Sequence, residues 1–129
     1  MKPDRPRVLV VDAEPLTRWA VGEALTAAGF DVIEMKPDPP YPVIENVRVL
    51  IVDATLAGVG ALRVLEHVRG LNPACRVLLL TSFDEVGFAR IAGASPLWRA
   101  VQKPFEVPAL VQAVVDLSSN HARSAAQAK

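Results

Sequence analysis

The sequence predicts a doubly wound α/β domain built on a five-stranded parallel sheet. Three observations carry that expectation. Apolar runs recur as "VLVV" (Val8–Val11), "VLIV" (Val49–Val52) and "VLLL" (Val77–Leu80). They are β-branched-rich and continuous rather than alternating, which suits strands buried on both faces. Helical patterns lie between them, and strands alternating with helices imply right-handed crossovers with helices on both sides of the sheet.

Taken in order, Val8–Val11 is the first strand. From Pro15 to Ala28, Leu16, Ala20, Ala24, Leu25 and Ala28 recur at helical spacing, and Gly29 offers a left-handed stop. "FDVI" at Phe30–Ile33 adds a strand. "KPDPPYPVIEN", Lys36 to Asn46, then carries four prolines where the next helix belongs. Proline at that density opposes a regular helix, so a loop or one short turn is expected. The strand Val49–Val52 follows, then a helix over Ala61–Arg69 with the stripe Leu62, Leu65 and Val68. The strand Val77–Leu80 leads to a weaker helix over Asp84–Ala92 that ends at Gly93. "LWRAV", Leu97–Val101, is the last strand. The last helix, Val107–Leu117, presents Leu110, Val111, Val114 and Val115, and Pro108 is tolerated in its first turn.

The 129 residues fit one domain. Residues 1–6 read as an extension, 7–117 as the domain, and 118–129 as a polar tail or linker remnant. Fourteen basic residues balance fourteen acidic ones. That argues against a broad electrostatic grip on nucleic acid or anionic lipid, though a small local patch stays open. The lone Cys75 allows no internal disulfide and reads as a buried thiol. No signal-peptide core or membrane-length apolar run is visible, so a soluble, cytoplasmic protein is expected. His67 reads as a solvated helix-face histidine. Arg18, Arg63, Arg69 and Arg90 read as solvating their helices.

In open parallel sheets, ligands bind beyond the carboxyl ends of the strands. Those ends carry Asp12, Asp53, Thr81 with Ser82, and Lys103 followed by Pro104. Two carboxylates suit Mg²⁺, which keeps several waters and takes one or two acids plus phosphate oxygens. A carboxylate can attack phosphorus to form an acyl phosphate. Lysine supplies a point charge for phosphoryl oxygens, and threonine supplies a hydrogen bond.

On these residues the chain resembles the receiver domain of two-component response regulators, the chemotaxis-Y-like family. "VLVVDAEPLTR" resembles its first strand and acidic turn. "VLIVDATLAG" resembles the third strand, "VLLLTS" the fourth, and "QKPF" (Gln102–Phe105) the family's Lys-Pro-Phe. The resemblance covers about residues 7–117. It implies a flavodoxin-like (β/α)5 receiver fold with the second helix shortened or lost. It implies that Asp53 accepts phosphate from a sensor histidine kinase or phosphotransfer protein. The metal ligands would be Asp12, Asp53 and the backbone carbonyl of Thr55. Thr81 and Lys103 would contact the phosphoryl group, and the Lys103–Pro104 bond would be cis. No enzymatic activity is implied beyond self-catalysed transfer to Asp53 and hydrolysis from it.

The sequence also departs from the family. Ala13 stands where a second acid is usual, so Mg²⁺ binding is expected to be weakened. Glu14 is the nearest replacement. The position of the usual switch aromatic is Ala100, which leaves Trp98, two residues earlier, as the candidate. Ala57 replaces a loop proline. The segment between Gly93 and Lys103 is long, so the region before the last strand is expected to be remodelled. An output partner would dock there, through the fourth helix, the fifth strand and the last helix. The rival function is a phosphorylation-independent pseudo-receiver that acts as a docking module. An aspartate-nucleophile phosphatase and a flavodoxin-like cofactor binder are weaker alternatives. The phosphatase would use Glu14 as its second acid. The cofactor binder lacks a phosphate-cradling first turn.

Overall fold

A computed structural model describes residues 5–53, 60–81 and 98–127, with side chains to residue 119. Five strands, β1 (Arg7–Val11), β2 (Asp31–Met35), β3 (Val47–Asp53), β4 (Arg76–Thr81) and β5 (Trp98–Gln102), form one sheet in the order β2-β1-β3-β4-β5. All four pairings are parallel. Three helices are described: α1 (Pro15–Ala27), α2 (Gly60–Leu71) and α3 (Val107–Gln127). The helix expected over Asp84–Ala92 lies outside the described residues, as do Thr55, Ala57, Ser82 and Arg90.

The continuous apolar runs do what their pattern implies. Along β1, Val8 and Val10 face one side, while Leu9 and Val11 face the other. The first side is covered by α1 and α3 through Val21, Leu25, Leu110, Val114 and Leu117. The second is covered by α2 through Ala61, Val64, Leu65 and Val68. Every residue of β4 is buried, as a central strand between two helical layers requires. No helix among the described residues is long and apolar enough to cross a membrane.

The buried face of α1 differs in part from the periodic reading. Val21, Gly22 and Leu25 bury the face of α1, while Leu16 and Ala28 are exposed. An alanine-rich helix gives several equally apolar stripes, and sheet contact selects one of them. Pro15 starts α1 at the position where a missing N–H costs nothing. Gly29 ends it with φ 99°, which L side chains rarely adopt. The last helix is also longer than expected. It runs on to Gln127, through the segment read as a tail or linker remnant. Ser, Ala and Gln carry no breaking signal, and no proline or glycine intervenes after Pro108.

The Pro-rich stretch 36–46 contains no helix. It is pinned by side chains instead. Tyr41 and Ile44 pack against the α2-side core. Asn72, at the end of α2, donates from Nδ2 to the Ile44 carbonyl at 2.9 Å, and its Oδ1 accepts from the Val47 N–H at 2.9 Å. His67 is not simply solvated. Its Nε2 donates to the Pro42 carbonyl at 2.8 Å, and its ring lies 5.3 Å from that of Tyr41. His67→Ala is expected to cost about 1 kcal/mol of stability in urea denaturation, the usual worth of one such hydrogen bond. It is also expected to speed proteolytic cleavage within 36–46.

Candidate functional site

The sheet order sends successive connections to opposite sides at β1 and β3, and that divergence opens a crevice at their carboxyl ends. Asp12 follows β1 directly and Asp53 closes β3, so the two acids flank the crevice. Both are buried, at 2% and 6% exposure. Thr81 closes β4 and is buried as well. The Lys103 N–H donates to the Thr81 carbonyl at 2.7 Å, which extends the β4–β5 ladder one step and starts the lysine beside the crevice. The Lys103–Pro104 bond is cis.

Lys103 then reaches across β4. Its Nζ lies 2.7 Å from Asp53 Oδ2 and 3.7 Å from Asp12 Oδ2. Burial works against the ammonium. The hydrogen bond that Lys103 donates to Asp53 and the charges of Asp12, Asp53 and Glu14 outweigh it, and Lys103 is held above its ordinary value. Asp12 is oriented by neighbours. Its Oδ1 accepts from the Glu14 N–H at 2.8 Å. Among the described residues its buried Oδ2 has no hydrogen-bond partner and faces the more distant ammonium.

Sequence reasoning missed one positioning residue. Arg18 is not a solvating arginine: its Nη1 donates to the Asp12 carbonyl at 2.6 Å, and its Nε pairs with Glu34 at 3.5 Å. It ties the first turn of α1 to β2 and holds the backbone that presents Asp12. Its position six residues after Asp12 is the only signal, and that spacing has no periodic signature.

Other expected residues stand elsewhere. Ala13 is exposed beside Asp12. Glu14 is exposed, and its Oε1 accepts from the Thr17 hydroxyl. With Lys103, Pro104 and Phe105, these two line a 450 Å³ pocket at the mouth of the crevice. Trp98 is not brought to the crevice. It opens β5 beside Val77, at the opposite edge of the sheet from Gln102 and Thr81. It packs on the α2-side core with the Arg69 guanidinium 5.5 Å from its ring. Among the described residues no three His, Cys, Asp or Glu side chains converge as a metal cluster. Cys75 is buried, and burial pushes its thiol up to about 12, which disfavours the nucleophilic thiolate near neutral pH.

The fold recurs in solved structures. A response regulator from Thermotoga maritima is 26% identical, with a TM-score of 0.68 over 89% of this chain and 98% of that one. A CheY-like receiver domain protein from Methanospirillum hungatei shares the fold at 16% identity, with a TM-score of 0.72 over 94% and 99% of the two chains. The chain has the receiver-domain fold of the response regulators. No family model matches it. A curated relative, a cyclic di-GMP phosphodiesterase from Thermotoga maritima, is 35% identical over 79 residues, 60% of this chain. The receiver spans about a fifth of that relative's length, 22%.

Proposed function

We propose that this receiver accepts a phosphoryl group on Asp53 from a histidine kinase or phosphotransfer protein. The observation that carries the reading is the pairing of a buried carboxylate, Asp53, with Lys103 at 2.7 Å, beside a second buried acid. In the transfer, an Asp53 oxygen attacks phosphorus as the donor's P–N bond breaks. The electron pair of that bond leaves with the imidazole, which takes a proton from water. An acyl phosphate results. Lys103 releases Asp53 and pairs with the phosphoryl oxygens, and the Thr81 hydroxyl donates to one of them.

Two buried acids fit a hydrated divalent ion, and Asp12 Oδ2, which accepts no hydrogen bond among the described residues, is an oxygen suited to it. Asp12 and Asp53 would hold Mg²⁺, which when bound offsets charge on the phosphoryl oxygens. Ala13 leaves that set one charge short of the usual receiver, so the affinity is reduced.

Intact mass after incubation with Mg²⁺ and acetyl phosphate tests the reading. A phosphoryl adduct is expected in the wild-type protein and none in Asp53→Asn. Ala13 favours a second reading, a docking module that signals without phosphate. An adduct absent from the wild type but present in Ala13→Asp would establish that module instead.

A further inference from the structure

The opposite edge of the sheet carries a charge cluster that phosphotransfer does not use. Arg76 opens β4 and is 2% exposed. Its Nη1 reaches only the Ala74 carbonyl, at 3.4 Å. Its Nε and Nη2 are buried without a hydrogen-bond partner among the described residues. Among the described residues no carboxylate pairs with it. The charge that acts on it most is another cation, Arg48 of β3. Burial first, and then Arg48, push the Arg76 guanidinium below its ordinary value, with a smaller opposing pull from Cys75. Arginine does not escape such a position by losing its proton. A buried cation with bare donors is costly unless an anion meets it.

Arg48 and Arg76 line one pocket of 510 Å³ at the amino ends of β3 and β4. That volume lies within the roughly 300–1,000 Å³ range of small-molecule sites. Asn72 lines it too, but its amide is committed to Val47, Ile44 and Val68. Glu45 stands at the rim, exposed and in no ion pair among the described residues. Arg48 donates from Nη1 to the Ser118 carbonyl at 3.1 Å, which fixes its place without neutralising it. A second pocket shares Asn46 and Arg48 and adds Arg5 and Arg7. Of these, Arg7 is paired with Asp31. The chain's zero net charge therefore conceals a local excess of positive charge.

We propose that Arg48 and Arg76 form a binding site for a small phosphate-bearing anion at the amino-terminal edge of the sheet. Two guanidiniums offer two positive charges, which a phosphate dianion matches and a single carboxylate does not. The planar fork of arginine also suits phosphate oxygens. The site is separate from Asp12, Asp53 and Lys103, and does not depend on phosphorylation of Asp53.

The test is titration of the full chain with inorganic phosphate and with pyrophosphate against chloride at equal ionic strength. It is read by calorimetry and by amide NMR shifts. Saturable shifts are expected at Asn46, Arg48 and Arg76. Arg48→Met and Arg76→Met are each expected to weaken binding at least tenfold, while Arg63→Met, on the exposed face of α2, retains it. Arg76→Met is also expected to melt no lower than the wild type in phosphate-free buffer, since it removes an uncompensated buried charge. The site is overturned if the three amides respond only as they do to chloride, or if Arg76→Met binds phosphate like the wild type. A fall in the phosphate-free melting temperature of Arg76→Met would equally overturn it, because the guanidinium would then be satisfied within the protein.

Discussion

Lys103→Met is expected to lower stability at neutral pH by about 2–4 kcal/mol, the scale for breaking a largely buried ion pair by removing one partner. The cost comes from what remains. Asp12 and Asp53 stay buried side by side and lose the ammonium that faces both of them. A double-mutant cycle in urea isolates the pairing: in an Asp53→Asn background the same substitution is expected to cost much less. The pH dependence has a definite sign. Lys103 is held above its ordinary value of 10.5. A group raised on folding contributes fully below its unfolded value and loses that contribution as pH climbs through the folded one. The gap between wild type and Lys103→Met is therefore flat through neutral pH and narrows only in strong alkali. A gap that closes on going from pH 7 to pH 9 would contradict the ion pair.

Ala13→Asp is expected to tighten Mg²⁺ binding about tenfold, roughly 1.4 kcal/mol, because affinity in oxygen-ligand sites follows charge count. Calorimetric titration with MgCl₂ reads the change, and labelling by acetyl phosphate is expected to quicken with it. Position 13 is exposed next to a buried acid, so the new carboxylate meets no packing obstacle. Among the described residues, Glu14 is the nearby acid that could make the substitution redundant. Its charge reaches Lys103, but its carboxylate is occupied by Thr17 at the surface. Unchanged Mg²⁺ affinity in Ala13→Asp would mean that Glu14 already serves as the missing acid.

The sequence made the sheet legible because burial on both faces leaves unbroken apolar runs, as at Val49–Val52 and Val77–Leu80. Asp12, Asp53, Thr81 and Lys103 were legible for a related reason: residues that end parallel strands are brought to one edge by topology alone. What escaped the reading depends on contacts across the chain. His67 meets Pro42 from 25 positions away, and Asn72 bridges Ile44 and Val47 across a similar distance. Arg18 and Arg76 differ in the same way from the surface arginines they resemble in sequence. The face of α1 was only partly legible: Leu25 is buried as expected, but alanine is apolar enough to fit any stripe, while Gly22, which lies against β2, carries no hydropathy at all.

The stretch 36–46 has one more consequence, which lies in the unfolded chain rather than in the folded one. A crossover without a helix forgoes the backbone hydrogen bonds a helix would make for itself. It must be ordered by a few outside contacts, from His67, Asn72 and the α2-side core. Each of its four prolines already restricts φ before folding begins. The segment therefore has less conformational freedom to surrender, and few anchors suffice to fix it. Part of what keeps this layer closed is thus an entropy the chain never possessed, and no list of folded contacts records it.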